Sequence, residues 1–321
     1  MSLTQVPASM QEPNAQYTGF KNRIINGNMY INQRAFSSGT SGYTVDRWQI
    51  GGASAGGLVS SGLPNNFQQG VYVTRTSAAG TGYFYQNIES KNCFDLVGET
   101  VTVSFWAKAT SLTALVVQLG HASATDNFGT VTTISSVTVS SSPSSSWAQY
   151  SATFTALPSG AANGLQVYIG GTTASTGTMN LTGVQLEKGS TATSFDYRPY
   201  GTELALCQRY YYKTKADAAN RMLSTSGQCF GTTGWIATTH FPVTMRTRPT
   251  ALEQSGTAGD YRVFQANTSA VTCNSVPAFN ASTTDAMALT EGTVASGLVA
   301  GNATTVVSVN SSAYLAWSAE L

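Results

Sequence analysis

The sequence predicts an all-β chain: a jelly-roll β-sandwich followed by a second, smaller β-sandwich domain. Three observations carry the β reading. Polarity comes from Ser, Thr, Asn, Gln and Gly rather than charge, since only 10% of the residues are charged while 41% are hydrophobic, against roughly 25% charged in an ordinary soluble protein. Such a composition suits pleated strands and left-handed turns more than helices. Several segments alternate apolar and polar residues with period two, and they are separated by Gly, Pro and Ser clusters without intervening helical patterns, as in a sandwich or jelly roll.

Taken in order, the first twenty residues lack periodicity and read as an arm, with a frayed terminus as the alternative. From Asn22 the pattern is β. Asn26-Gly27-Asn28 reads as a tight turn needing positive φ. Asp46-Arg47 beside Trp48 reads as a partly buried ion pair packed under an indole, a structural device rather than a site. Strands are expected over 71–75, 83–88, 115–119 and 131–139. The clearest lies within 98–109, where Val101, Val103, Phe105 and Ala107 share one face and Thr102, Ser104, Trp106 and Lys108 the other. Tyr150, Ala152 and Phe154, then Leu165, Val167 and Ile169, repeat the alternation. A single helical turn is expected at 203–207, and with it the boundary that divides an arm at 1–20, a first domain at 21–200 and a last domain at 201–321. Further strands are read at 229–239, 243–247, 261–265, 294–299 and 304–309. The alternation of Ala313, Leu315, Trp317 and Ala319 implies a last strand that is paired, since an apolar edge invites aggregation.

The bulk numbers narrow the function. With a net charge of +1 and a pI near 7.6, the chain has no field to gather phosphate backbones or anionic lipid, so neither nucleic acid nor membrane is an expected partner. The start has no basic region leading into an apolar run, and no stretch reaches transmembrane length, so export by lysis or assembly is expected. Cys93, Cys207, Cys229 and Cys273 lack metal or scaffold spacing and read as buried small hydrophobes, with a Cys229–Cys273 bridge as the alternative. His121 and His240 are the two histidines, and neither sits in a GxSxG or HExxH pattern. No carboxylate pair is recognisable and no repeat of β-helix length occurs. No catalytic residue, cofactor or metal is expected.

Particular motifs are more specific. The segments NRIINGNMYINQR (22–34) and YTVDRWQI (43–50) resemble the opening of carbohydrate-binding-module-like jelly rolls found in phage structural proteins. VTVSFWAKA (101–109), WAQYSATFTALPSG (147–160) and above all LTGVQLEKGSTATSFDYRPYGTELALCQRYYYK (181–213) are similar to the middle and end of that module. The resemblance covers roughly residues 20 to 215, and FPVTMRTRPTALEQSG (241–256) and SAYLAWSAEL (312–321) are similar to the tips that follow it. It implies a jelly roll, a homotrimer and attachment to host surface glycans: a virion protein, a tail fibre or receptor-binding adhesin assembled in the host cytoplasm and docked to other virion proteins by its arm. A capsid, collar or baseplate element without receptor binding, and a glycan-degrading tailspike, are the alternatives. Modules of this kind often hold a structural calcium, for which Glu187 and Asn28 would be the candidate oxygen donors, but no carboxylate-rich loop accompanies them and no metal site is assigned.

Sugars stack on flat aromatic faces while amides and carboxylates read their hydroxyls. Outward aromatics are therefore the candidates: Trp106, opposite its strand's apolar stripe, and Tyr83 and Tyr85, on a strand with one face turned from the core. Burial in a second layer or a subunit interface is the competing reading. Trp235, in the Gly-rich stretch 230–240, reads as an exposed loop contact or as a core tryptophan. Tyr210-Tyr211-Tyr212 read as aromatic glue.

Overall fold

A computed structural model describes residues 20–64, 66–76, 79–266, 270–285 and 287–321. The arm expected at 1–20 lies outside these residues except for Phe20. The chain forms two compact units; the first takes the residues up to Tyr30, Phe36–Thr44 and Trp48–Pro199, and the second takes Ile31–Ala35, Val45–Arg47 and Tyr200–Leu321.

The first unit runs through β1 (Gly42–Tyr43), β2 (Gln49–Gly51), β3 (Ala55–Val59), β4 (Gly70–Arg75), β5 (Gly80–Ile88) and β6 (Val101–Thr110). It continues through β7 (Ala114–Ala124), β8 (Asn127–Ser140), β9 (Ala148–Phe154), β10 (Leu165–Thr173) and β11 (Gly177–Lys188). These build a six-stranded sheet in the order β1-β2-β5-β10-β7-β8 and a five-stranded sheet in the order β3-β4-β11-β6-β9. The chain crosses from one sheet to the other at β2 to β3, β4 to β5, β5 to β6, β6 to β7, β8 to β9, β9 to β10 and β10 to β11, which makes a jelly-roll sandwich. Alternation sends Phe84, Val117, Leu119, Val167 and Ile169 inward from the first sheet, and Val71, Val103, Phe105 and Leu181 inward from the second, all fully buried. Trp48 is equally buried, its indole N–H donating to the Asn26 carbonyl at 2.9 Å.

The turn at 26–28 takes its positive φ at the asparagine. Asn26 takes the left-handed conformation (φ 56°), whereas Gly27 is needed for close approach, because a Cβ there would collide with the carbonyl oxygen of Val184. The Gly27 carbonyl in turn accepts the Val184 N–H at 2.8 Å. This contact sits where β11 bulges between Thr182 and Gln185, so the incoming chain fits the irregular part of the sheet.

The second unit opens with α1 (Tyr200–Gln208), longer than the single turn expected, and β12 (Tyr211–Lys215), β13 (Ser226–Cys229), β14 (Gly234–His240) and β15 (Glu253–Gln254). It closes with β16 (Tyr261–Gln265), β17 (Val271–Thr272), β18 (Ala278–Ser282), β19 (Met287–Thr293), β20 (Thr304–Ser308) and β21 (Tyr314–Ser318). Three small sheets, β12-β21-β15, β13-β14-β19-β18 and β17-β16-β20, surround a core that includes Trp235, Trp317, Tyr261 and Leu315. The single strand expected at 229–239 is a hairpin, because Phe230 N–H bonds back to the Gly234 carbonyl and closes a turn. Residues 243–247 are not a strand: prolines flank them at 242 and 249, and Arg246 instead donates to the Ala319 and Glu320 carbonyls at 2.7 Å. Nor are 294–299, where Gly297 takes φ 99°. The last strand ends at Ser318, paired by β12 on one side and β15 on the other. All four cysteines are buried and free.

Arg47 ion-pairs with Glu320, which Arg34 also reaches at 3.0 Å. The two guanidiniums stack over Tyr210 and Tyr211, each 3.6 Å from the ring centre. The expected Asp46-Arg47 device is thus structural, but the carboxylate that Arg47 meets comes from the other end of the sequence. Asp46 accepts the Gln33 backbone N–H at 2.9 Å, and burial pushes its carboxyl up to about 6, against the hydrogen bonds from Gln33 and the charge of Arg34.

Two outcomes follow for stability. Removing the Glu320 carboxylate takes an ion-pair partner from the buried Arg47 and the part-buried Arg34, so Glu320→Ala should destabilise the second unit by about 3–5 kcal/mol in chemical denaturation; a loss below about 1 kcal/mol contradicts this role. The raised Asp46 pKa means that the folded state holds the proton more tightly than the unfolded chain. Its contribution is therefore complete below the ordinary value of 3.8 and lost as pH rises through about 6. Wild-type stability should fall relative to Asp46→Asn over that window, by on the order of 3 kcal/mol, as read from paired urea titrations.

Candidate functional site

Strand β5 is held on both sides, by β2 and by β10, in unbroken antiparallel register. With Phe84 committed to the core, Tyr83 and Tyr85 must face outward on the six-stranded sheet. The register then assembles a row across it: Gln49 opposite Tyr85, Tyr85 opposite Tyr168, Tyr168 opposite Gln118, and Gln118 opposite Ser136. Five adjacent strands at ~4.8 Å spacing make this row about 19 Å long. The neighbouring row is Gly51, Tyr83, Gly170 and Val116.

Glycine decides how the rings lie. A Cβ at Gly51 would stand 2.5 Å from the Tyr83 ring, and one at Gly170 would stand 2.8 Å from the Tyr168 ring. Without those Cβ atoms the rings recline over the sheet and meet: Tyr83 and Tyr168 have centroids 4.6 Å apart, Tyr83 and Tyr85 6.1 Å apart. The Tyr85 hydroxyl donates to Gln49 Oε1 at 2.7 Å, and Gln166 donates to Asn87 Oδ1 at 2.9 Å. Burial, with Tyr83 close by, pushes the Tyr168 phenol up to about 12 and raises that of Tyr85. The phenols of Tyr85 and Tyr168 are therefore neutral at physiological pH. None of the six strands contains Asp, Glu, Lys or Arg. The surface is therefore a neutral aromatic platform edged by amides, suited to a ligand with an apolar face and uncharged hydroxyls.

Of the four candidates from the sequence, the structure brings Tyr83 and Tyr85 together here. Trp106 lies half-buried on the outer face of the other sheet, between Thr182 and Gln149. Trp235 is corrected: it is fully buried in the core of the second unit, its indole over Gly292, because β14 directs it inward and Gly292 opposite leaves room for the ring. Tyr168, Gln49, Gln118, Gly51 and Gly170 were missed. The signal for Tyr168 was present, since it alternates with Val167 and Ile169; the glycines could be placed only by register. Glu187 is engaged by protein donors, accepting from Thr193 N at 2.8 Å and Thr193 Oγ1 at 2.7 Å.

Residues 28–178 match a family model described as a carbohydrate binding domain. All six strands that carry the platform fall inside the matched segment. No curated protein matches the sequence. Among solved structures, the chain is similar to TmCBM61 in complex with beta-1,4-galactotriose, at 13% identity over 53% of this chain and 99% of that one, with a TM-score of 0.35. It is also similar to the CBM22-1 xylan-binding domain from Paenibacillus barcinonensis, at 11% identity over 55% and 99% of the two chains, TM-score 0.35. A third is the enzymatically active domain of tailspike protein 4 of Bacteriophage CBA120, at 14% identity over 52% of this chain and 21% of that one, TM-score 0.34.

Proposed function

We propose that this chain is a carbohydrate-binding protein whose ligand lies across the outer face of the six-stranded sheet. The observation that carries the reading is the coincidence of the matched segment with the platform of Tyr83, Tyr85 and Tyr168. Each ring offers a face to the C–H side of a pyranose, while Gln49, Gln118 and Gln166 present amides to hydroxyls. The absence of charge on the six strands favours a neutral glycan, because an acidic one would leave its carboxylates desolvated without a cationic partner. Binding is the whole of the proposed activity; no catalysis is assigned to the chain.

The wider role we propose is that of a phage virion protein, a homotrimeric tail fibre or receptor-binding adhesin that holds host surface polysaccharide and joins other virion proteins through its first twenty residues. The resemblance of residues 181–213 to phage tail and virion proteins supports it. Single contacts to a reclining ring are weak, and three linked copies would raise effective affinity by roughly 10² to 10⁴ on a repeating polymer.

Affinity electrophoresis in gels cast with neutral polysaccharides tests the site. Tyr83→Ala and Tyr168→Ala should each weaken retention about tenfold, or ~1.4 kcal/mol, with melting temperature unchanged; retention equal to wild type in both variants removes the platform. For the wider role, antibodies to the chain should label particle tips and block adsorption to host cells. Labelling confined to heads, with adsorption intact, would show a structural part instead.

A further inference from the structure

The outer face of the five-stranded sheet, on the side of the first unit away from the tyrosine platform, carries a second arrangement of rings and hydroxyls. Its centre is the bulge of β11, where Gly183 takes φ 61°. A Cβ there would meet the Phe67 ring at 2.5 Å and the Trp106 ring at 3.1 Å, so the glycine lets both rings close over the sheet. Phe67 packs on Phe195 (5.2 Å between centroids) and on Tyr197 (5.7 Å), and those two pack on each other at 4.8 Å. The cluster reaches solvent through Tyr197, which is 46% exposed.

Beside it lies a pocket of about 280 Å³, lined by Gln149, Tyr150 and Ser151 of the edge strand β9 and by Ala192, Thr193 and Ser194. Chain and register tie the two features together: Gln149 stands opposite Trp106, and Ser194 directly precedes Phe195. No lining residue is charged. The loop is held before any ligand arrives, because the buried Glu187 carboxylate accepts from Thr193 N and Oγ1, and the buried Gln185 side chain accepts from Asp196 N at 2.8 Å. A fixed wall spends little ordering entropy on binding.

We propose that this pocket is a second glycan site that takes one uncharged sugar unit, with Gln149, Ser151 and Ser194 toward its hydroxyls and Tyr150, the aromatic residue in its lining, toward its C–H face. The volume lies just below the range of about 300–1,000 Å³ typical of pockets for larger small molecules, which suits a single ring better than a chain segment. The inference rests on the carbohydrate reading of the first unit, but on different residues and a different sheet. Its consequence is that one subunit holds glycan on two opposite faces and so links neighbouring polymer chains.

Affinity electrophoresis of the full chain in gels cast with xylan, beta-1,4-galactan, glucomannan or dextran separates the possibilities. Three variants are compared with wild type: Tyr83→Ala with Tyr168→Ala for the platform, Ser151→Trp to fill the pocket from an exposed edge position, and all three changes together. Gln149→Ala, which removes only an amide, serves as a second pocket variant. In at least one gel, the platform variant should keep part of the retardation, Ser151→Trp should weaken retention roughly threefold to tenfold, and the combined variant should migrate as in a gel without glycan. If both pocket variants run like wild type wherever wild type is retarded, or the platform variant loses all retardation, the second site is overturned and the platform stands. If wild type is retarded in no gel, both readings fall.

Discussion

Strand β5 lies between β2 and β10, and this fixed pairing is the constraint on which the first unit depends. A strand paired on both sides cannot slip by one residue without turning Phe84 to water and two tyrosines into the core. The same ladder that buries Phe84, Val167 and Ile169 therefore obliges Tyr83, Tyr85 and Tyr168 to stand outside. Their surface needs no loop to organise it. It is as rigid as the sheet, and the order lost by a ligand on binding is its own rather than the protein's.

Charge is distributed to match. The six-stranded sheet has no Asp, Glu, Lys or Arg in its strands, whereas the five-stranded sheet carries Arg75, Lys108, Glu187 and Lys188. Glu187 lies under the loop it organises, its oxygens occupied by Thr193. The molecule thus uses charge inside to hold shape and leaves neutral rings, amides and hydroxyls where a sugar would rest. Attraction over distance is absent from such a surface, so selectivity comes from stacking and hydrogen-bond geometry, and strength comes from repetition.

The second unit depends on a different interaction. Glu320 sits one residue from the end of the sequence and joins Arg34 and Arg47, which arrive from segments Ile31–Ala35 and Val45–Arg47. Both guanidiniums also lie over tyrosines of the 210–212 run, so within this unit those rings stack on cations as well as filling the core. Early and late parts of the chain are needed together for this unit to close.

Strand-by-strand identity was legible in the sequence where alternation was strict: β6, with Val101, Val103 and Phe105 inward, and β10, with Leu165, Val167 and Ile169 inward, follow from period two, which is a local property of the backbone. The same rule turned Tyr83 and Tyr85 outward on one strand and Trp106 on another. What the sequence could not contain was which sheet each strand joins. Trp106 and Tyr85 look equivalent as outward aromatics, yet β6 and β5 fall in different sheets, so their rings face opposite ways. Nor could the sequence show that Gly51 and Gly170 lie beside rings through register, and Gly183 through the bulge of β11. Trp235, in a glycine-rich stretch that suggested a loop, is carried into the core by its pairing with β19 across Gly292. Short-range periodicity belongs to the sequence; which faces meet, which rings find room and which distant charges pair depend on contacts far apart in the chain, and only the tertiary structure decides those.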